Sequence, residues 1–239
     1  MNIELPFIIN SSTEIMKWRA ETFWVKEPET IKWIEKFCTL DHPPSFLLDV
    51  GANIGMYSLY AASLRRSLRI IAIEPAPNNL QYLFENVELN KYSDRIQVVS
   101  KPLASSVFQG TLSNPDQRPG ATGAQVQSEF SSDPHKITTT TGDLLVAEHG
   151  VFNAILKIDV DGNELDILQG FRESLTGKRI CSVLVELTEA NNDEIALFMN
   201  ECGFEEDLSF RKIPGHSDLR RKESGKSERN TIFKIAGSN

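Results

Sequence analysis

The chain has little cysteine. Cys38, Cys181 and Cys202 are odd in number and far apart. They form neither a disulfide framework nor a CxxC metal-ligand pair, which suits a reducing cytoplasm. No segment reaches the ~18–20 consecutive apolar residues that a membrane-spanning helix needs. The first residues, Met1-Asn2-Ile3-Glu4-Leu5-Pro6, lack a basic region followed by an apolar stretch, so no secretory leader is expected. A cytoplasmic location is therefore expected, and the sequon Asn10-Ser11-Ser12 carries no weight. Positive charge is in the minority, with Lys and Arg at 25 against 33 Asp and Glu, a net −8. That balance makes general nucleic-acid binding a poor expectation. No internal repeat is visible.

What is present is an ordinary globular composition, 40% hydrophobic and 24% charged over 239 residues, enough for one sizeable core. Short apolar runs alternate with helical periodicity. Strands are predicted at 46–50, 69–74 and 96–99, separated by helices over 54–67 and from Leu80 to near Asn90. The second half repeats the rhythm, with strands at 154–160 and 181–187 and helices at 164–175 and 193–202. Gly203 is expected to cap the last of these. Residues 204–210 and 230–235 read as two strands with no helix between them, hence an antiparallel hairpin at the sheet edge. The whole is an α/β fold: a mostly parallel sheet of seven strands with helices on both faces. One domain is expected over 1–239. Residues 1–40 form a helical extension, with Pro28 opening a helix, and 41–239 form the core with a polar insertion at 105–136.

The chemistry concentrates in Leu48-Asp49-Val50-Gly51-Ala52-Asn53-Ile54-Gly55 followed by Glu74. Gly51 and Gly55 stand where a strand turns into a helix, a place that demands a tight turn and brings backbone close to a ligand. Glu74 ends the next strand, where its carboxylate can accept both hydroxyl protons of a ribose. Asn53 replaces the second glycine of the dinucleotide fingerprint, which argues against a pyrophosphate and so against NAD or FAD. An acid at Asp49 suits a ligand with a positive group, such as the sulfonium or amino group of S-adenosylmethionine. A nicotinamide-dependent oxidoreductase and a non-catalytic cofactor-binding protein are the alternatives.

On the fourth strand Lys157, Asp159 and Asp161 share a face by alternation, and Asp159 lies at the carboxyl end, where open α/β sheets bind ligands. Glu186, near the end of the fifth strand, reaches the same cleft. A poorly nucleophilic hydroxyl needs a base or a clamp, and Asp159 is the expected catalytic residue, with Glu186 second. For Lys157 the expected role is a buried ion pair. Asp159, Asp161 and Glu164 offer hard oxygens to Mg²⁺ or Ca²⁺, but the spacing is not that of a calcium loop and Glu164 equally suits a helix start. A divalent metal is thus the less favoured cofactor, and no metal ligand is assigned. His42 and His149 fall in connections; His135 ends the polar insertion and reads as a solvated loop residue.

Four runs together resemble the FkbM-type methyltransferases, over about residues 20–236. They are Asp49-Val50-Gly51-Ala52-Asn53-Ile54-Gly55, then Ile73-Glu74-Pro75 with Asn78, then Leu156-Lys157-Ile158-Asp159-Val160-Asp161-Gly162 with Glu164, then Val185-Glu186. Asp161 stands where the family more often has Glu, which keeps the charge. The resemblance implies a Rossmann-like class I methyltransferase fold. It also implies S-adenosylmethionine as cofactor and methyl transfer to a hydroxyl of a sugar, glycan or secondary metabolite. It assigns Asp49 and the loop of Gly51, Ala52, Asn53 and Gly55 to the methionine portion, and Glu74 to the ribose. Pro75 and Asn78 shape the pocket beside it, and the segment from Ser100 to Leu103 lines the adenine. Residues 211–229 hold seven Lys or Arg against three acids. A basic loop suits an anionic acceptor, although a solvated hairpin loop is its commoner use.

Overall fold

The computed structural model describes residues 4–127, 136–211 and 229–238. Its centre is a seven-stranded sheet. The strands are β1 (Phe46–Val50), β2 (Arg69–Ile73), β3 (Ile96–Val99), β7 (Ala154–Ile158), β8 (Ile180–Leu187), β9 (Phe204–Glu206) and β10 (Arg229–Ile235), in the order β3-β2-β1-β7-β8-β10-β9. Pairing is parallel from β3 through β8, and β10 runs antiparallel to both β8 and β9. The predicted hairpin is therefore present, with its second strand inserted between β8 and the edge strand β9. That edge strand stops at Glu206 because the Asp207 side chain turns back to accept from Ser209 N at 3.1 Å and opens a 3₁₀ turn, Leu208–Phe210.

Alternation along the buried strands splits the core into two layers. Leu47, Ile70, Ala72 and Ile155 pack on one face against α1 (Glu14–Lys26), α2 (Pro28–Thr39), α3 (Met56–Leu64) and α4 (Pro77–Leu89). Leu48, Ile71, Leu156 and Val183 pack on the other face against α5 (Gly142–Glu148), α6 (Glu164–Gln169), α7 (Arg172–Thr176) and α8 (Asn192–Glu201). Burying both faces is what makes the strands read as continuous apolar runs.

The structure departs from the predicted elements in two further places. The helix expected over 164–175 is broken into α6 and α7 at Gly170. A Cβ on Gly170 would lie 2.3 Å from the Ala104 carbonyl, so the chain must pass there without a side chain. Asp143 then caps the second piece, accepting from Glu173 N at 3.0 Å and Ser174 N at 2.7 Å. The polar insertion also holds order: β4 (Gln109–Ser113) pairs antiparallel with β5 (Gln125–Gln127) and β6 (Lys136–Thr138) in a separate small sheet. Most of the basic stretch 211–229, and His135, lie outside the described residues. Among the described residues no helix is long and apolar enough to cross a membrane.

Candidate active site

Strand order reverses between β1 and β7: the chain builds outward from β1 through β2 to β3, then returns to lay β7 on the other side. Such a switch point opens a crevice outside the carboxyl ends of the strands. Here it is a cleft of about 580 Å³, bordered by Gly51, Asn53, Glu74, Pro75, Asp159 and Glu186 among others. A smaller recess beside it reaches Ala52, Tyr57 and Lys157.

The floor is shaped by glycine geometry. Gly51 has φ +79°, and a Cβ there would meet the Asp159 carbonyl oxygen at 2.0 Å. Only glycine satisfies both conditions. Asn53 is itself left-handed, at φ +52°, which an asparagine tolerates. Its N–H donates to Glu74 Oε2 at 2.8 Å, and Ala76 N donates to Glu74 Oε1 at 2.8 Å. These bonds pin a carboxyl group that is only 5% exposed. Burial pushes Glu74 up to about 7, against the opposing pull of the two backbone donors. Each oxygen retains a lone pair for a ligand.

Behind the floor lies a buried ion network. The β1–β7 register places Asp49 opposite Lys157, with Asp49 Oδ1 3.4 Å from Lys157 Nζ. Ser58 Oγ donates to the other Asp49 oxygen at 2.7 Å. Lys157 Nζ also donates to Asp159 Oδ2 at 3.2 Å and lies 5.1 Å from the centre of the Tyr57 ring. Burial disfavours the Lys157 ammonium, yet Asp159, Asp49 and Glu27 outweigh it and hold the group above the ordinary lysine range. Glu27 shows the reciprocal effect. Its burial is overcome by Lys26 and Lys157, which bring it down to about 2, and Tyr57 OH donates to it at 2.7 Å.

The sequence-predicted residues thus divide into groups. Gly51, Asn53, Glu74, Pro75, Asp159 and Glu186 border the cleft, and Ala52 borders the recess. Asp49 is fully buried behind them, and Gly55, at φ +93°, turns the chain into α3 against Leu83. Asn78 holds the insertion, donating to Arg118 O at 3.2 Å and accepting from Asn114 at 2.9 Å. Leu103 is buried in the core layer of α5–α8 and bridges to Thr140. Asp161 accepts from Gly123 N at 2.5 Å, and Glu164 accepts from Gly162 N and Asn191. Among the described residues no group of three or more His, Cys, Asp or Glu could hold a metal.

Sequence reasoning missed the far wall. Ile15, Trp18, Arg19 and Lys26 of α1 border the cleft, as does the insertion segment from Gly120 to Ala124. The signal for α1 was present in Thr13, whose hydroxyl accepts from Met16 N at 3.2 Å, with Glu14 in the first turn. Asn79 ties the insertion down, accepting from Gly120 N at 2.8 Å and donating to Ala121 O at 3.0 Å.

Residues 49–206 match the methyltransferase FkbM domain. The hexuronic acid methyltransferase AglP of Haloferax volcanii is 32% identical over 59% of this chain and 55% of its own. Methyltransferase 1 of Beauveria bassiana is 27% identical over 62% and 67%, respectively. The AMB antimetabolite synthetase AmbE of Pseudomonas aeruginosa is 25% identical over 68% of this chain, which spans only 10% of that protein. Among solved structures, the METTL16 methyltransferase domain superposes with TM-score 0.54 at 15% identity, over 97% of this chain and 74% of its own. The FkbM methyltransferase of Methylobacillus flagellatus KT does so with TM-score 0.53 at 15% identity, over 92% and 52%. At that identity the superpositions show the fold, and the match over 49–206 shows the lineage. The chain belongs to the FkbM methyltransferase family.

Proposed function

We propose that this methyltransferase uses S-adenosylmethionine to methylate a hydroxyl of a sugar, glycan or secondary-metabolite acceptor. The observation that carries the reading is the convergence of Gly51, Glu74, Asp159 and Glu186, from the ends of four strands, on one cleft. Its volume falls within the ~300–1,000 Å³ of small-molecule sites. The residues suit the cofactor: an acid-rich lining favours a cation, and the pinned Glu74 carboxylate keeps lone pairs for ribose hydroxyls. Gly51, Ala52 and Asn53 would hold the methionine end, with Asp49 behind them, and Gly55 sets the turn. Pro75 and Asn78 would flank the ribose, and the segment ending at Leu103 would back the adenine.

When bound, the cofactor supplies an electrophilic methyl group on a cationic sulfur. The protein's own part is placement of the acceptor and removal of its proton. Lys157 fixes Asp159 Oδ2, and no hydrogen bond among the described residues occupies Oδ1. Asp159 therefore receives the acceptor hydroxyl on Oδ1 and takes its proton, with Glu186 as the second acid. The likeness to AglP, whose name declares a hexuronic acid substrate, supports a sugar acceptor.

Calorimetric titration with S-adenosylhomocysteine tests the reading. Saturable binding by the full chain, lost in Glu74→Ala, is expected. No saturable binding by the wild type overturns it.

A further inference from the structure

Three cations border the cleft and its recess: Arg19, Lys26 and Lys157. Two are neutralised, Lys26 by Glu27 and Lys157 by Asp49 and Asp159. Arg19 differs. Among the described residues its guanidinium makes one hydrogen bond, from Nε to the Gly120 carbonyl at 2.6 Å, and forms no ion pair; its charge acts on the Glu74 carboxyl only from beyond contact. That bond orients the guanidinium plane and leaves both terminal nitrogens without a hydrogen-bond partner among the described residues. They form a two-pronged donor of the kind that grips a planar anion. Beside Arg19 on α1, Trp18 borders the same cleft with 43% of its surface exposed, an unusual outlay of aromatic area at a solvent-facing wall. An indole face packs well on the C–H face of a pyranose ring, and its N–H stays near water.

We propose that Trp18 and Arg19 form the acceptor subsite, and that the acceptor is a sugar bearing a carboxylate. This rests on the methyl-transfer reading of the cleft and specifies its substrate. A carboxylate fits better than a phosphate because Glu74, Asp116, Asp159, Asp161 and Glu186 also border the cleft. A dianion would meet more repulsion from those acids than a monoanion. Helix α1 lies outside the family-matched residues 49–206, where selection among acceptors can vary without disturbing the cofactor floor. The cofactor's own α-carboxylate is the other source of the same chemistry, and the test separates the two.

The experiment is calorimetric titration of the full chain with methyl glucuronoside and methyl galacturonoside. The corresponding neutral methyl glycosides serve as comparison, each with and without saturating S-adenosylhomocysteine. A uronoside is expected to bind about tenfold or more tighter than its neutral counterpart, the scale of a charge-assisted hydrogen-bonded pair. Arg19→Gln should erase that preference while S-adenosylhomocysteine affinity stays within about threefold, and Arg19→Lys should retain part of it. Trp18→Ala should weaken charged and neutral sugars alike, with Trp18→Phe restoring most of the loss. Equal affinity for charged and neutral sugars overturns the proposal. So does an Arg19→Gln variant that loses S-adenosylhomocysteine binding as strongly as uronoside binding, because Arg19 then serves the cofactor. Stronger competition by inorganic phosphate than by acetate also overturns it. Failure of S-adenosylhomocysteine to bind the wild type counts instead against the methyl-transfer reading, since the uronoside preference is read separately without it.

Discussion

The α-carbon of Gly51 lies against the main-chain carbonyl of Asp159, so close that a Cβ would sit 2.0 Å from that oxygen. The glycine loop after β1 and the acidic turn after β7 are thereby packed together. The wall expected to carry the cofactor and the acid expected to carry catalysis share one contact.

Gly51→Ala must push these two segments apart and also force alanine to φ +79°. Left-handed strain and overpacking each cost about 1–3 kcal/mol. A loss of at least about 2 kcal/mol in urea denaturation is expected, together with weakened S-adenosylhomocysteine binding. A variant as stable as the wild type would show that the contact is not maintained in solution.

Asp159→Asn keeps the shape of the side chain and removes its charge. Lys157 retains Asp49 and Glu27, so the network survives. Turnover on an acceptor that the wild type methylates should fall about 10²–10⁴-fold, the span of general acid–base contributions. Cofactor-product affinity should change by less than about threefold. The separation of turnover from binding is what the measurement must show.

Lys157→Met strands two or three carboxylates around a buried apolar group. Breaking one side of a buried ion pair costs about 3–5 kcal/mol. The double variant Asp49→Asn/Lys157→Met should recover part of that loss, because Asp49 is the fully buried partner. Urea denaturation of the two single variants and the double variant gives the coupling energy directly.

Glu74 makes stability depend on pH. Its folded value near 7 exceeds the ordinary 4.5, so the folded protein binds the proton more tightly. That contribution is fully present below about pH 4.5 and is lost as pH rises through about 7. Glu74→Gln removes the slope: its stability relative to the wild type should rise from pH 5 to pH 8, as read by urea denaturation at each pH. If ionised Glu74 accepts ribose hydroxyls, wild-type affinity for S-adenosylhomocysteine should also increase over pH 6–8.

Much of the fold was written locally. The apolar run at 69–74 ends in Glu74, those at 46–50 and 154–160 are followed by Gly51 and Asp161, and β1, β2 and β7 form within those bounds. Gly203, with φ +79°, closes α8 as its position after the last apolar residue suggests. The break at Gly170 was not legible, because its cause is a carbonyl on Ala104, distant in sequence. Helix α1 was hard to see because its apolar residues are spread around it, with Met16 and Phe23 buried while Trp18 and Val25 remain exposed.

The site divides in the same way. Alternation and glycine spacing by themselves placed Gly51, Glu74, Asp159 and Glu186 at strand ends, because those signals arise from the backbone and nearby burial. Only the tertiary structure decided which acids reach the cleft. Asp49 and Asp159 are both acids near strand ends, yet Asp49 is sealed behind Lys157 and Asp159 keeps 26% of its side chain exposed. The strand order that lays β7 beside β1 makes that choice. It also brings the far wall, with Trp18 and Arg19, over a cleft built from the rest of the chain. Local sequence records which side chains prefer burial; long-range packing selects their partners and determines which polar groups are left for a ligand.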